Sequence, residues 1–251
     1  MVYVKRVLLL VLLMVCFATI TSIPSSASDL TEALKLRDVA RVQSLLAAGA
    51  DANEKLRGDY PLNIAATIGP AEMVTTLLEA GANLEQPGRD GLYPLHNAVI
   101  FGGKEIVALL IQKGAKVDAK EKWGRTPLNS FAATGGSDIE IPKILLAAGA
   151  DPNIESAKID ESASALQDAA YTGNLALAEL LIAAHADVNH RNAYGRGALH
   201  LAVQNDRLEI AQLLIAHGAD VNMTNNLGNT PIYYTRNNAA MKQLLIAAGA
   251  K

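Results

Sequence analysis

The sequence predicts an all-α solenoid of about seven stacked helix-turn-helix units joined by hairpin-like crossovers. Three observations predict it. A helix-ending phrase recurs seven times, a helix-starting phrase recurs six times, and the interval between copies stays near 33 residues. A fixed period of this kind marks units that cannot bury an apolar face alone and do so by stacking on their neighbours.

The helix-ending phrase first reads Leu45-Leu46-Ala47-Ala48-Gly49-Ala50-Asp51. It returns as Leu77-Leu78 before Gly81, Leu110-Ile111 before Gly114 and Leu145-Leu146 before Gly149. Leu181-Ile182 before His185, Leu213-Leu214 before Gly218 and Leu244-Leu245 before Gly249 complete the set. The closing positions lie 32, 33, 35, 36, 33 and 31 residues apart. Each apolar pair buries one helical face, and the glycine takes the left-handed conformation that ends the helix. His185 predicts a strained copy of that turn, since His is among the few residues tolerated there.

The helix-starting phrase reads Tyr60-Pro61-Leu62-Asn63, Tyr93-Pro94-Leu95-His96 and Thr126-Pro127-Leu128-Asn129. It continues as Ser164-Ala165-Leu166-Gln167, Gly197-Ala198-Leu199-His200 and Thr230-Pro231-Ile232-Tyr233. A Ser or Thr hydroxyl caps the helix, and Pro suits the first helical position because it wastes no donor there. A turn glycine stands four residues before each Leu or Ile, at Gly58, Gly91, Gly124, Gly195 and Gly228, with Ser162 in the remaining copy.

With this period and these two phrases, the stretch from about Asp29 to Lys251 resembles the ankyrin repeat family. The resemblance implies one repeat domain over 28–251, with units near 29–57, 58–90, 91–123, 124–161, 162–194, 195–227 and 228–251. It implies that His96 and His200 hydrogen-bond backbone between adjacent turns. It also implies a non-catalytic interaction module whose protein partner binds a concave face built from crossover tips and first helices.

The end units are expected to be polar caps. The first opens with Asp29 as a helix cap and carries Arg37, Asp38 and Arg41; the last carries Arg236-Asn237-Asn238 and Lys242-Gln243, so both ends of the array are expected to be present. The middle is irregular. Two extra residues fall at Gly135-Gly136-Ser137-Asp138 and three more within 153–161, and Pro142 is tolerable only in the first turn of its helix. The long crossover reads either as loop drift or as a protrusion contributing to a partner site.

Residues 1–27 read as a secretory signal peptide. Lys5 and Arg6 precede an apolar run over 7–18, and cleavage is expected after Ala27. Export implies a periplasmic or secreted protein, free of the membrane after cleavage. Without that segment the chain has 20 basic and 25 acidic residues, a balance of −5, and no Lys/Arg cluster, which disfavours nucleic acid. The sole cysteine, Cys16, lies in the same segment, so the mature chain has no disulfide and no thiol nucleophile.

No catalytic, cofactor-binding or metal-ligating constellation is expected, because no nucleophile elbow, zinc-binding His pair or phosphate loop is present. The recurrent Asp51, Asp151, Asp187 and Asp220, each followed two residues on by Asn, read as crossover hydrogen bonding in preference to a cation ladder. The expected partner is a protein bound to a monomer. The alternative is a dedicated inhibitor or protective partner of one periplasmic enzyme or toxin.

Carried over by position, the tips contribute Arg57, Asp59, Arg89, Leu92, Lys122, Trp123, Arg125, Tyr194 and Arg196. The first helices contribute Ile100, Phe101 and Tyr171. Trp, Tyr and Arg dominate interface hot spots, so the contact patch is expected to centre on Phe101 and Trp123.

Overall fold

The computed structural model describes residues 27–56, 58–156, 163–236 and 238–251. The predicted signal segment up to residue 26, Arg57, the 157–162 part of the long crossover and Asn237 lie outside the described residues.

Among the described residues there are thirteen α-helices and no strand, which bears out the all-α expectation. The helices come in successive pairs: α1 (Ala27–Lys35) with α2 (Val39–Ala47), and α3 (Pro61–Ile68) with α4 (Ala71–Glu79). The third pair is α5 (Pro94–Asn97), extended by a π turn over Ala98–Gly102, with α6 (Lys104–Gln112). Then come α7 (Pro127–Thr134) with α8 (Glu140–Ala147), α9 (Ala165–Thr172) with α10 (Leu175–Ala183), and α11 (Ala198–Gln204) with α12 (Leu208–Ala216). A 3-10 turn over Pro231–Thr235 and α13 (Ala239–Ala247) close the array. None of these helices is long and apolar enough to cross a membrane.

First helices contact first helices and second helices contact second helices along the stack, as the solenoid requires. Alanines make the close approach possible: Ala65, Ala98, Ala169 and Ala202 occupy one repeated position in the first helices and are enclosed. Proline opens α3, α5 and α7 at the first position, and Thr126 and Ser164 make reciprocal capping boxes with Asn129 and Gln167. His185 has φ 65°, so it takes the left-handed turn that its place in the phrase predicts.

Two local differences separate sequence and structure. Helix α1 begins at Ala27, which puts Asp29 inside the first turn, where its carboxylate meets the helix dipole, instead of at the cap. The last unit has a 3-10 turn in place of a first helix, ended by Arg236 at φ 47°.

The irregular middle has a packing cause. At the position where other first helices carry Ala, α7 carries Phe131, and the ring is buried. The inserted loop covers it: a Cβ on Gly136 would collide with the Phe131 ring. Asn174 Nδ2 then donates to the Gly136 carbonyl at 2.9 Å and ties the loop to the next unit. Pro142 sits in the first turn of α8, where no intrahelical donor is lost. Of the neighbouring second helices, α8 and α10 touch least, whereas the first helices α7 and α9 of the same units pack most closely, so the insertions part only the second-helix side of the stack.

A side-chain ladder joins successive crossovers. Asn53 donates to the Gly81 carbonyl at 2.9 Å and accepts from the Asn83 N–H at 2.7 Å. Asn153, Asn189 and Asn222 repeat the clamp on His185, Gly218 and Gly249. Asp51, Asp151, Asp187 and Asp220 each accept the N–H two residues on, so they are the Asx turns the spacing suggests.

At the equivalent position Asp118 can only accept, and it takes the Asp151 N–H at 3.2 and 3.3 Å. Burial raises its pKa; the Asp151 N–H opposes that shift and the Asp151 charge reinforces it. A raised acid pKa contributes stability that is present below the unfolded value and lost as pH rises through the folded one. Asp118→Asn restores a donor and is expected to stabilise the chain at neutral pH by about 0.5–1.5 kcal/mol, read from urea unfolding. An unchanged or lower midpoint would show that this rung is already satisfied.

Candidate partner-binding face

The crossover tip at Gly124, Gly195 or Gly228 is held from both sides. Behind it, the fourth residue of the helix-starting phrase reaches the next tip: Asn63 donates to the Leu92 carbonyl, and His96 Nε2 to that of Arg125, both at 2.9 Å. Gln167 Nε2 reaches the Arg196 carbonyl at 2.8 Å, and His200 Nε2 reaches that of Asn229 at 3.2 Å. The two histidines therefore do what the resemblance implies. Their ring tautomer follows, because a carbonyl accepts only from an N–H.

Burial is the main cause lowering both histidine pKa values, partly opposed by the carbonyl each ring holds. Glu121 also opposes the shift at His96, whereas Arg196 and Arg191 reinforce it at His200. A base with a depressed folded pKa contributes stability above its unfolded value of 6.5 and loses it as pH falls toward the folded value. The urea midpoint is therefore expected to fall between pH 7 and pH 5. His96→Gln with His200→Gln, a residue the chain already uses at Gln167, is expected to flatten that slope. An equally steep slope in the double variant would contradict the assignment.

Within the tip, a second series closes the turn. Glu121 is 4% exposed, and its carboxylate accepts the N–H groups of Trp123 and Arg125, each at 3.0 Å. Asn192 does the same for Tyr194 and Arg196, and Asn225 for Leu227 and Asn229. All three stand three residues before the turn glycine. That shared offset is the signal that could have found them; sequence reasoning missed them because the residue type varies.

The tips also stack. Gly58, Gly91 and Gly124 have φ between 76° and 97°, and a Cβ on Gly58 or Gly91 would press on the side chain of Arg89 or Lys122. Arg89 and Lys122 thus lie along the preceding turn, and Lys122 Nζ also sits 3.9 Å from the centre of the Trp123 ring. Asp59 packs against Gly88, where any side chain would collide with its carboxylate. Leu92 and Ile100 are half-buried. Arg57 lies outside the described residues.

The remaining expected residues face outward. Phe101 is 63% exposed, on the π turn, and Trp123 is 45% exposed at its tip. A Cβ on Gly102 would collide with the Ala66 carbonyl, so this glycine lets the turn that carries Phe101 lie against α3. Arg125, Tyr171, Tyr194 and Arg196 come together around one cleft of about 270 Å³. Ala133, Ala163 and Leu201 supply its apolar wall, and Asp168 and Asn192 add polar groups. Phe101 and Trp123 are not among the residues lining it. Leu227 and Tyr233 are exposed on the same series of tips and first segments; Tyr233 was not anticipated, because the other copies carry Asn, His or Gln at that position.

A family model described as Ankyrin repeats (3 copies) matches residues 30–121, 72–156, 116–192 and 166–251, which together run from 30 to 251. No curated protein matches the chain.

Proposed function

The chain belongs to the ankyrin repeat family, and we propose that it acts after export as a non-catalytic module holding a protein partner on the face formed by its tips and first helices. One observation carries this reading. Eight large apolar side chains are exposed among the described residues, and Phe101, Trp123, Tyr171, Tyr194, Leu227 and Tyr233 all lie on tips or first segments. Leu36 follows the end of α1, and only Ile246 lies on a second helix. The concentration of exposed large apolar side chains on tips and first segments, with one on a second helix, supports a contact surface on that side. On this reading the concave side is the working face, and the N-terminal segment delivers the chain to a periplasmic or extracellular setting.

The test is affinity capture with the tagged full chain from the exported fraction of its own cells, followed by mass spectrometry. The expected result is a protein retained in stoichiometric amount. A single enzyme or toxin retained in that way would favour the dedicated-inhibitor form of the reading; several unrelated proteins would favour a general module. Retention of nothing above an untagged control would contradict the proposal.

A further inference from the structure

We infer that the cleft between the fourth, fifth and sixth units takes one Asp or Glu side-chain carboxylate of the protein partner, together with an adjoining apolar side chain. This deepens the proposed function and rests on it for the identity of the ligand as protein.

The cationic groups come first. Arg125 and Arg196 both line the cleft and both are half-buried. The Arg125 backbone is occupied by Glu121 and His96, whereas its guanidinium makes no hydrogen bond or ion pair with the described residues. Among the described residues the Arg196 guanidinium donates once, to Gln204 Oε1 at 3.1 Å, and it lies 5.2 Å from the centre of the Tyr194 ring. That ring and Gln204 hold the guanidinium plane and leave most of its five donors unused. A positioned guanidinium with spare donors is matched to a carboxylate, which it can grip with two parallel hydrogen bonds.

The surroundings narrow the class. Asp168 also lines the cleft and is already partnered within the chain. Arg125 and Arg196 outnumber Asp168 among the described residues lining the cleft, so it favours an anion, and a protein partner supplies one as a carboxylate. The volume of about 270 Å³ lies just below the range of about 300–1,000 Å³ usual for small-molecule pockets. It therefore suits one or two side chains and not a nucleotide. Tyr171 and Tyr194 flank the cations, and Leu201 offers an apolar wall for the neighbouring residue.

The experiment uses the full chain and two capped dipeptides, N-acetyl-Glu-Leu-amide and N-acetyl-Gln-Leu-amide, titrated while the arginine Nε–Hε resonances are followed by NMR. The expected result is that the glutamate peptide shifts the Arg125 and Arg196 signals, that the glutamine peptide binds at least about tenfold more weakly, and that added salt weakens only the former. Arg125→Gln with Arg196→Gln is expected to abolish the preference with an unchanged urea midpoint. Equal binding of both peptides, or binding of neither, would overturn the inference. If neither binds while the chain still captures a protein through Phe101 and Trp123, the inference falls and the proposed function stands. If the glutamate peptide binds selectively but no protein is ever captured, the cleft chemistry stands and the proposed function falls.

Discussion

Phe131→Ala is expected to destabilise the chain by about 3–5 kcal/mol. The expectation is not obvious from the repeat, because Ala is what the other first helices carry at this position. In those units the neighbouring helices close around the small side chain. Here the ring is 2% exposed and the inserted loop is built over it, with Gly136 against the ring and Asn174 anchoring the Gly136 carbonyl. Removing the ring leaves a void that the anchored loop cannot collapse into, so the cost includes a cavity as well as lost burial. The loop and the ring should therefore couple. Deleting Gly136 and Ser137 in the Phe131→Ala background is expected to cost less than the sum of the two changes. Urea unfolding of the three variants measures this, and strict additivity would show that ring and insertion are independent.

Phe101→Ala with Trp123→Ala is expected to weaken partner affinity by at least about 2 kcal/mol, roughly thirtyfold, while shifting stability by no more than about 0.5 kcal/mol. Both side chains are exposed and neither belongs to the buried cluster, so truncation leaves no cavity. The backbone that presents them is held independently of them. Glu121 accepts the Trp123 N–H, and the Gly103 N–H bonds back to the Ala98 carbonyl across the π turn. A large fall in stability with capture unchanged would show that these aromatics serve packing and not recognition.

The recurrent features were legible because each follows from a residue type at a fixed offset. Leu pairs before a glycine end the second helices, proline or a hydroxyl opens the first, and a His, Asn or Gln at the fourth position ties one tip to the next. The insertions were also legible, and Ser156 bonding to Ala163 shows where the longer crossover departs from the ordinary tip. The tip-closing series was not, because Glu121 does with a carboxylate what Asn192 and Asn225 do with an amide, and Lys55 and Gly88 stand at the same offset in two other copies. Nor was the partner of the first insertion, since only the fold brings Gly136 to the Phe131 ring.

The candidate face was legible by position but not by role. Tip counting identifies Arg89, Lys122 and Asp59 as surface, yet the first two lie along preceding glycine turns and the third fills the space at Gly88. The cleft gathers residues from three successive units, Arg125 and Ala133, then Tyr171, then Arg196 and Leu201, and no local pattern announces such a convergence. The π turn under Phe101 was likewise invisible, because its residues also read as an ordinary helix end.

The most direct test of the central claim is amide hydrogen exchange on the chain alone and in complex with its captured partner. Added protection is expected at the tip amides of Trp123, Tyr194 and Leu227 and along the π turn and α9, with no change in α2, α4 and α6. Protection confined to the second helices, with these tips unaffected, would contradict it.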